Sequence, residues 1–363
     1  MIQSTLTRTP LLLTALLLSV ALSGCATLKK HLPATGTPAV TAPVPAPAPP
    51  LPPMTGQAAV ERFIDEMVAK HDFQRTELVA LFEKVQPRAR IIEIMTTPAE
   101  GKPWNKYRPI FVNEARIRGG VDFWRDNSAA LARAERQYGV PAEIIIAIIG
   151  VETRYGSNMG GFNVIDALAT LAFDYPPRAD YFRGELEQFL LLSREEHFDP
   201  LLPKGSYAGA MGEAQFMPSS YRNYSVDFDG DGRRDLWHST SDAIGSVAHY
   251  LSSYGWQHAQ PIATPAQVSG NGYLSVLDQK PVKPTRSIAE FRAHGVQPQS
   301  PLGNDQLATL LRFDTDTGDE FWLGLDNFYV ITRYNHSPRY AMAVYQLSQE
   351  ILARHQHLMN GAK

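Results

Sequence analysis

Two stretches of the chain hold residue types whose spacing could do chemistry. The first is PAEIIIAIIGVETRYG, residues 141–156, in which Glu152 stands near the C-terminal end of a run of isoleucines. A carboxyl in such a place is partly desolvated, which disfavours its charged form and raises its pKa. An acid kept protonated near neutral pH can hand its proton to a leaving group. Taken on this stretch alone, the simpler reading is that Glu152 pairs with Arg154 or a distant arginine and merely ends the helix. The second stretch is DFDGDGRRDLW, residues 227–237. Asp227, Asp229 and Asp231 take positions 1, 3 and 5 of an EF-hand-type loop, and Gly232 takes the turn-making sixth. Carboxylate oxygens at alternate positions converge on one hard cation, and Arg233 offers a backbone carbonyl. The expected ion is calcium, as a structural staple. His238 stands where a bidentate glutamate belongs, so the closing carboxylate falls to Asp242. A metal-free acidic surface turn is the weaker alternative.

Little else in the sequence offers reactive chemistry. HExxH, P-loop and GxSxG patterns are absent, and GNGYLS at 270–275 lacks the third glycine of a dinucleotide fingerprint. The single cysteine, Cys25, excludes an intramolecular disulfide and a cysteine-based zinc site. A net charge of −3 with scattered Lys and Arg gives no basis for a nucleic-acid partner. His355 and His357, near the C-terminus, read as a solvated tail.

Positioning Glu152 requires a helix buried inside a domain. Pro141 can open it, because a first-turn proline sacrifices no intrahelical donor. Ile144, Ile145, Ile146, Ile148 and Ile149 are apolar on most sides, and Gly156 stops the helix. Upstream, residues 1–24 read as a secretory signal, with Arg8 at its start and an apolar run, Leu11 to Leu22, too short to span a membrane comfortably. The tetrad at 22–25 resembles the lipobox of bacterial lipoproteins, which would make Cys25 the lipidated first residue. Ala26 after it points to the outer membrane. Residues 25–57 are Pro/Ala-rich and serve as a semi-rigid tether.

The rest divides by texture. Residues 58–138 read as an N-terminal helical segment, with Val60, Phe63, Ile64, Met67 and Val68 at helical spacing. Within it, 102–112 reads as a proline-broken link carrying Trp104, Tyr107 and Phe111, and 122–138 as one amphipathic helix. Residues 139–260 hold the isoleucine helix, helices over 164–173 and 178–194, a glycine-rich loop at 204–221 and a helix over 242–254. Such a loop lets backbone approach a ligand closely. From 261 to 334 the pattern suggests a small β subdomain, with strands at 272–277, 309–313, 320–325 and 328–333. Residues 335–363 end in a helix from Pro338 that packs back on the core. The class is α+β, mostly α.

Four segments occur in this order in one known family: VETRYG at 151–156, GSYAGAMGEAQFMPSSY at 205–221, the DFDGDG loop, and ITRYNHSPRYAMAV at 331–344. From residue 58 onward the chain resembles the membrane-bound lytic murein transglycosylase B family. The resemblance implies a lysozyme-like helical core, an N-terminal helical segment around it and a small β subdomain. It implies Glu152 as a single catalytic acid and base. Ser206 and Gln215 match polar residues of the cleft, Tyr107 an aromatic lining it, and Asn335, after Tyr334, a residue facing the acid from the other wall. Arg178 resembles a residue near the substrate's peptide stem, although Pro177 precedes it where the family often has a second arginine. The family also carries calcium on the loop that begins at Asp227.

The implied reaction cuts the β-1,4 bond between N-acetylmuramic acid and N-acetylglucosamine in peptidoglycan without water. Glycosidases ordinarily need two carboxylates flanking the bond, and the acids near the motif, Glu213, Asp174 and Asp180, hold no position the family uses. One suffices if Glu152 protonates the glycosidic oxygen and then takes the proton of the same sugar's C6 hydroxyl, closing a 1,6-anhydro ring. The sugar's own N-acetyl oxygen relieves the developing charge, with Ser206, Gln215 and Asn335 as donors around it. The implied partners are glycan strands and, through Cys25, the periplasmic face of the outer membrane, with other cell-wall enzymes as a further class; no organic cofactor is expected. Two other readings remain: a muramidase that uses water, and a non-catalytic peptidoglycan-binding tether, against which an intact Glu152 argues.

Overall fold

The structure is a computed structural model that describes residues 56–96, 102–277 and 283–361. The signal, Cys25 and nearly all of the tether lie outside the described residues. The N-terminal segment forms α1 (Gln57–His71), α2 (Arg75–Phe82), α3 (Ala89–Met95) and α4 (Trp104–Phe111). α1 buries Ala59, Phe63, Ile64 and Met67 along one stripe, and Phe63 meets Phe173 edge-on at 5.9 Å. The stretch 102–112, expected as a broken link, is helical despite Pro109 inside it. Tertiary packing overrides the proline: Trp104 is 1% exposed, lies 4.9 Å from Phe313 and donates its indole N–H to Glu320 at 3.1 Å.

The single helix expected over 122–138 is two helices, α5 (Glu114–Asp126) and α6 (Ser128–Tyr138). α5 starts where the Asn113 side chain caps it, accepting the Arg116 N–H at 3.1 Å. The break falls at Asn127, whose amide donates back to the Phe123 carbonyl at 2.9 Å and competes with continued helix. Next comes α7 (Ala142–Thr153), in which every residue from Ile144 to Ile149 is at most 1% exposed. It ends at Thr153 and not at Gly156. Arg154, Tyr155 and Gly156 all take left-handed φ, of 52°, 60° and 78°, a conformation uncommon for side-chain-bearing residues. The Tyr155 hydroxyl, donating to the Arg116 carbonyl at 2.7 Å, and its ring, 5.6 Å from Phe123, hold that turn.

β1 (Phe162–Asn163) pairs antiparallel with β2 (Lys204–Gly205). Between them lie α8 (Val164–Asp174) and α9 (Ala179–Glu195), joined by a short 3-10 turn at Pro176–Arg178. The glycine-rich loop leads to α10 (Pro218–Tyr224), and the acidic loop leads to α11 (Thr240–Ser253).

A five-stranded antiparallel sheet follows, from β3 (Ala263–Val268), β4 (Arg286–Ser287), β5 (Val296–Pro298), β6 (Leu307–Thr315) and β7 (Gly318–Gly324), with α12 (Ile288–Ala293) between β4 and β5. Its order is β4-β6-β7-β3-β5. Alternation along β6 sends Ala308 and Leu310 to a small core shared with Ile288 and Phe291, and Leu311 and Phe313 to the main core. The expected strands at 309–313 and 320–325 are β6 and β7. That at 272–277 is instead a 3-10 turn over Gly272–Ser275, with Leu277 alone bridging to Leu310. That at 328–333 is α13 (Asp326–Tyr334); its β-branched and aromatic residues are those of a strand, but Phe328 and Ile331 are buried at helical spacing. β3 was not among the expected strands; Pro265, a residue uncommon inside strands, sits within it. α14 (Pro338–Gly361) packs back on α7, α5 and α4. His355 stacks on Trp124 at 4.1 Å, so it is not a solvated tail residue.

A Cβ at Gly150 would lie 2.6 Å from the Tyr155 ring. Gly150→Ala is expected to lower stability by about 1–3 kcal/mol through overpacking, read as a fall in Tm. Gly161→Ala, where an added Cβ meets nothing within 4 Å, should change stability by no more than about 0.5 kcal/mol.

Candidate active site

Glu152 is the penultimate residue of α7, half-buried between apolar turns and an open side. Its Oε1 accepts a hydrogen bond from the Tyr340 hydroxyl at 2.6 Å. Among the described residues no ion pair joins it to Arg154, which is exposed, or to another arginine. The reading of Glu152 as an ion-paired helix end is therefore overturned. Burial pushes its carboxyl up to about 7; the Tyr340 hydrogen bond and the Arg116 charge pull the other way and are outweighed. Among the described residues no second carboxylate contributes to that shift. Arg116, only 8% exposed, donates to the Gly150 and Val151 carbonyls, satisfying the C-terminal end of α7.

Tyr340 opens the inner face of α14 and stacks parallel on Tyr334 at 6.4 Å. The Tyr334 hydroxyl donates to the Ala214 carbonyl in the glycine-rich loop. Tyr107, 4% exposed on α4, is near enough to act electrostatically on Tyr340. Gln215, next to Ala214, takes a left-handed φ of 50° and spends its amide hydrogens on the Met159 and Gly212 carbonyls at 3.1 and 2.9 Å. It was expected as a donor, and what it has left is an acceptor oxygen. Ser206 accepts the N–H groups of Ala208 and Ala210 at 3.2 and 3.0 Å, leaving its own O–H to donate. This loop presses against the segment after α7 backbone to backbone: a Cβ at Gly160 would lie 2.1 Å from the Gly205 carbonyl. Asn335 accepts the Ser337 N–H through Oδ1 at 3.1 Å, which leaves its amide hydrogens as donors.

Glu152, Tyr340, Tyr334 and Tyr107 thus form one group, with Gln215 joined through Ala214. Arg178 stands apart, exposed in the 3-10 turn, with its guanidinium over Tyr181 and Phe182 at 4.5 and 4.9 Å. Sequence reasoning missed Tyr340 and Arg116. For Tyr340 the available signal was that a buried tyrosine hydroxyl must find a partner.

In the acidic loop, Asp227, Asp229 and Asp242 each bring an oxygen within 4.8 Å of the others. Asp242 is fully buried; its oxygens accept the N–H groups of Phe228, Asp229 and Asp235 at 2.7, 3.2 and 2.8 Å. Burial and the nearby Asp229 charge raise its pKa, against those bonds. Three hard oxygens at this spacing, one of them buried and electrostatically opposed, suit a divalent cation with oxygen ligands at about 2.3–2.6 Å. Asp231 is outside that cluster and turns Oδ1 onto the Arg233 N–H at 2.8 Å.

The chain matches the family described as Transglycosylase SLT domain over residues 55–349. It is 49% identical over 305 residues to membrane-bound lytic murein transglycosylase B of Escherichia coli K12, covering 81% of this chain and 83% of that protein. It is also similar to the crystal structure of soluble lytic transglycosylase SltB1 of Pseudomonas aeruginosa, with a TM-score of 0.78 and 52% identity over 81% of this chain and 98% of that one. Escherichia coli lytic transglycosylase Slt35, solved in complex with calcium, gives a TM-score of 0.76 and 47% identity over 84% of this chain and 96% of that one. The α+β fold is accordingly the lysozyme-like fold of lytic transglycosylases. The chain belongs to the transglycosylase SLT-domain family, and is a lytic murein transglycosylase, a lyase acting on peptidoglycan.

Proposed function

We propose that Glu152 is the single acid–base group of this lyase and that it cleaves the bond between N-acetylmuramic acid and N-acetylglucosamine without water. The observation that carries the reading is a carboxyl whose pKa burial raises to about 7, bound by Tyr340, with no second carboxylate among the described residues contributing to that shift. A two-carboxylate glycosidase would need a partner there. Protonated Glu152 gives its proton to the glycosidic oxygen as the bond to the muramic C1 breaks. The acetamido oxygen of that sugar attacks C1 and relieves the cationic charge. Glu152, now a carboxylate, takes the C6 hydroxyl proton as that oxygen displaces the acetamido oxygen, and the 1,6-anhydro ring closes. Both steps are intramolecular in the sugar, which suits a site whose task is orientation.

The Tyr340 hydroxyl strengthens its hydrogen bond as negative charge grows on Glu152. Ser206 and Asn335 have donors left for the acetamido oxygen, and Gln215 has an acceptor for the acetamido N–H. Tyr107 and Tyr334 form the wall behind Tyr340. Arg178, exposed and stacked on two rings, suits a carboxylate of a peptide stem. Asp227, Asp229 and Asp242 would hold calcium, with Asp231 and the Arg233 carbonyl as outer members of the set. When bound, the ion supplies a cross-link between the loop and α11. A lipid on Cys25 and the Pro/Ala tether of residues 25–57 would place the enzyme on the periplasmic face of the outer membrane.

Purified sacculi treated with the wild type should release muropeptides ending in 1,6-anhydro-muramic acid, and Glu152→Gln should lower that release by about 10²–10⁴-fold. Water-added reducing ends would identify a muramidase instead. Binding to sacculi with no release by the wild type would identify a tether.

A general acid works protonated, so kcat/KM should fall as pH rises through about 7. The Tyr340 hydrogen bond favours the carboxylate, so Tyr340→Phe should raise the Glu152 pKa, move that alkaline limb to higher pH and lower kcat. A limb left in place in this variant would assign it to another group.

Removal of calcium with a chelator should lower the Tm of the wild type, because a ligand bound only by the folded state stabilises it. Asp229→Asn should abolish that dependence.

A further inference from the structure

We propose that Glu213 is a positioning residue that couples the acidic loop, residues 227–242, to the end of α7 that carries Glu152. The inference rests on the reading of that loop as a calcium site. Glu213 lies in the glycine-rich loop and is 8% exposed. It meets three different elements with three different groups. Its N–H donates to the Leu236 carbonyl, at the end of the acidic loop, at 2.7 Å. Its carboxyl Oε1 accepts the Thr240 hydroxyl, in the first turn of α11, at 2.8 Å. Its carbonyl accepts the Thr153 hydroxyl, one residue beyond Glu152, at 3.0 Å.

Each contact continues on both sides. Thr153 is fully buried, and its hydroxyl also accepts the Gly156 N–H at 3.0 Å, which fixes the left-handed turn that ends α7. The carboxyl presses on that turn directly, since a Cβ at Gly156 would lie 3.0 Å from Oε1. On the other side, Thr240 stands between Ser239, whose hydroxyl donates to Asp229 Oδ2, and Asp242. A cation that draws the Asp229 and Asp242 oxygens together therefore moves or steadies the turn that holds Thr240. Through Glu213 the same displacement reaches Thr153.

The side chain is a costly choice for mere filling. Its second oxygen, Oε2, is buried and has no hydrogen-bond partner among the described residues, a penalty that an apolar side chain of similar size would avoid. What the carboxyl supplies and an apolar group would not is the bond to Thr240.

The test uses the full chain, calcium titration by calorimetry, and hydrogen–deuterium exchange of residues 149–158 with calcium and with a chelator. Calcium should slow exchange of this segment in the wild type by about fivefold or more, the low end of typical coupling between sites. Glu213→Gln keeps an acceptor oxygen and should retain the effect. Glu213→Ala, and independently Thr240→Val, should still bind calcium and still show protection in 227–242, while the response of 149–158 shrinks to what the backbone bonds of residue 213 to Leu236 and Thr153 carry. An unchanged response of 149–158 in both variants would overturn the coupling, as would a wild type that binds calcium without any response there. A wild type that binds no calcium would remove the metal reading and the coupling together, and would leave the role of Glu152 to its own test.

Discussion

A half-buried carboxyl at the end of a largely buried helix needs a partner that does not discharge it. Tyr340 meets that requirement for Glu152. An arginine in its place would hold the group as a carboxylate, unable to give a proton; an apolar neighbour would leave it unsatisfied. The hydroxyl satisfies the carboxyl in either state of charge. Much of the topology follows from bringing these two residues, 188 apart in sequence, within 2.6 Å. α14 has to return across α7, and Tyr334 has to stack behind Tyr340. The glycine-rich loop then docks on the Tyr334 hydroxyl through the Ala214 carbonyl.

The arginine that does come near is used differently. Arg116 turns its guanidinium onto the carbonyls of Gly150 and Val151, where a helix end needs donors. Its charge reaches Glu152 without an ion pair, which tempers the rise in pKa and does not cancel it. The acidic loop shows a related economy. Asp227 accepts three backbone N–H groups, from Gly230, Asp231 and Gly232, so the loop is shaped by its own amides before any cation is considered.

The parts of this arrangement that could be read from sequence were those fixed by local rules. The isoleucine run, the alternating aspartates and the turn glycine at 232 each carry their meaning in a few adjacent residues. The motif order carried the family. Reading failed where distant packing decides. Pro109 suggested a break, yet burial of Trp104 outweighed it, and no strand was expected at 263–268, where pairing of β3 with both β5 and β7 accommodates Pro265. The residues 328–333 have strand composition and helical burial, and only the surrounding core chooses between the two. The resemblance led to Gln215 being expected as a donor, but which end of its amide is free depends on the Met159 and Gly212 carbonyls, and no local pattern reports that.

Tyr155 sits in a socket made by three glycines from two helices. Added Cβ atoms at Gly119, Gly120 and Gly150 would each fall within 2.8 Å of its ring or hydroxyl, and Gly120 would meet Ile351 as well. These positions cannot drift one at a time. A larger residue at any of the three evicts the ring, and loss of the ring leaves an unfilled hollow between α5 and α7. Among descendants of this sequence the four sites should therefore change as a set or stay as they are, a signature of co-variation expected even though only one of the four bears a side chain.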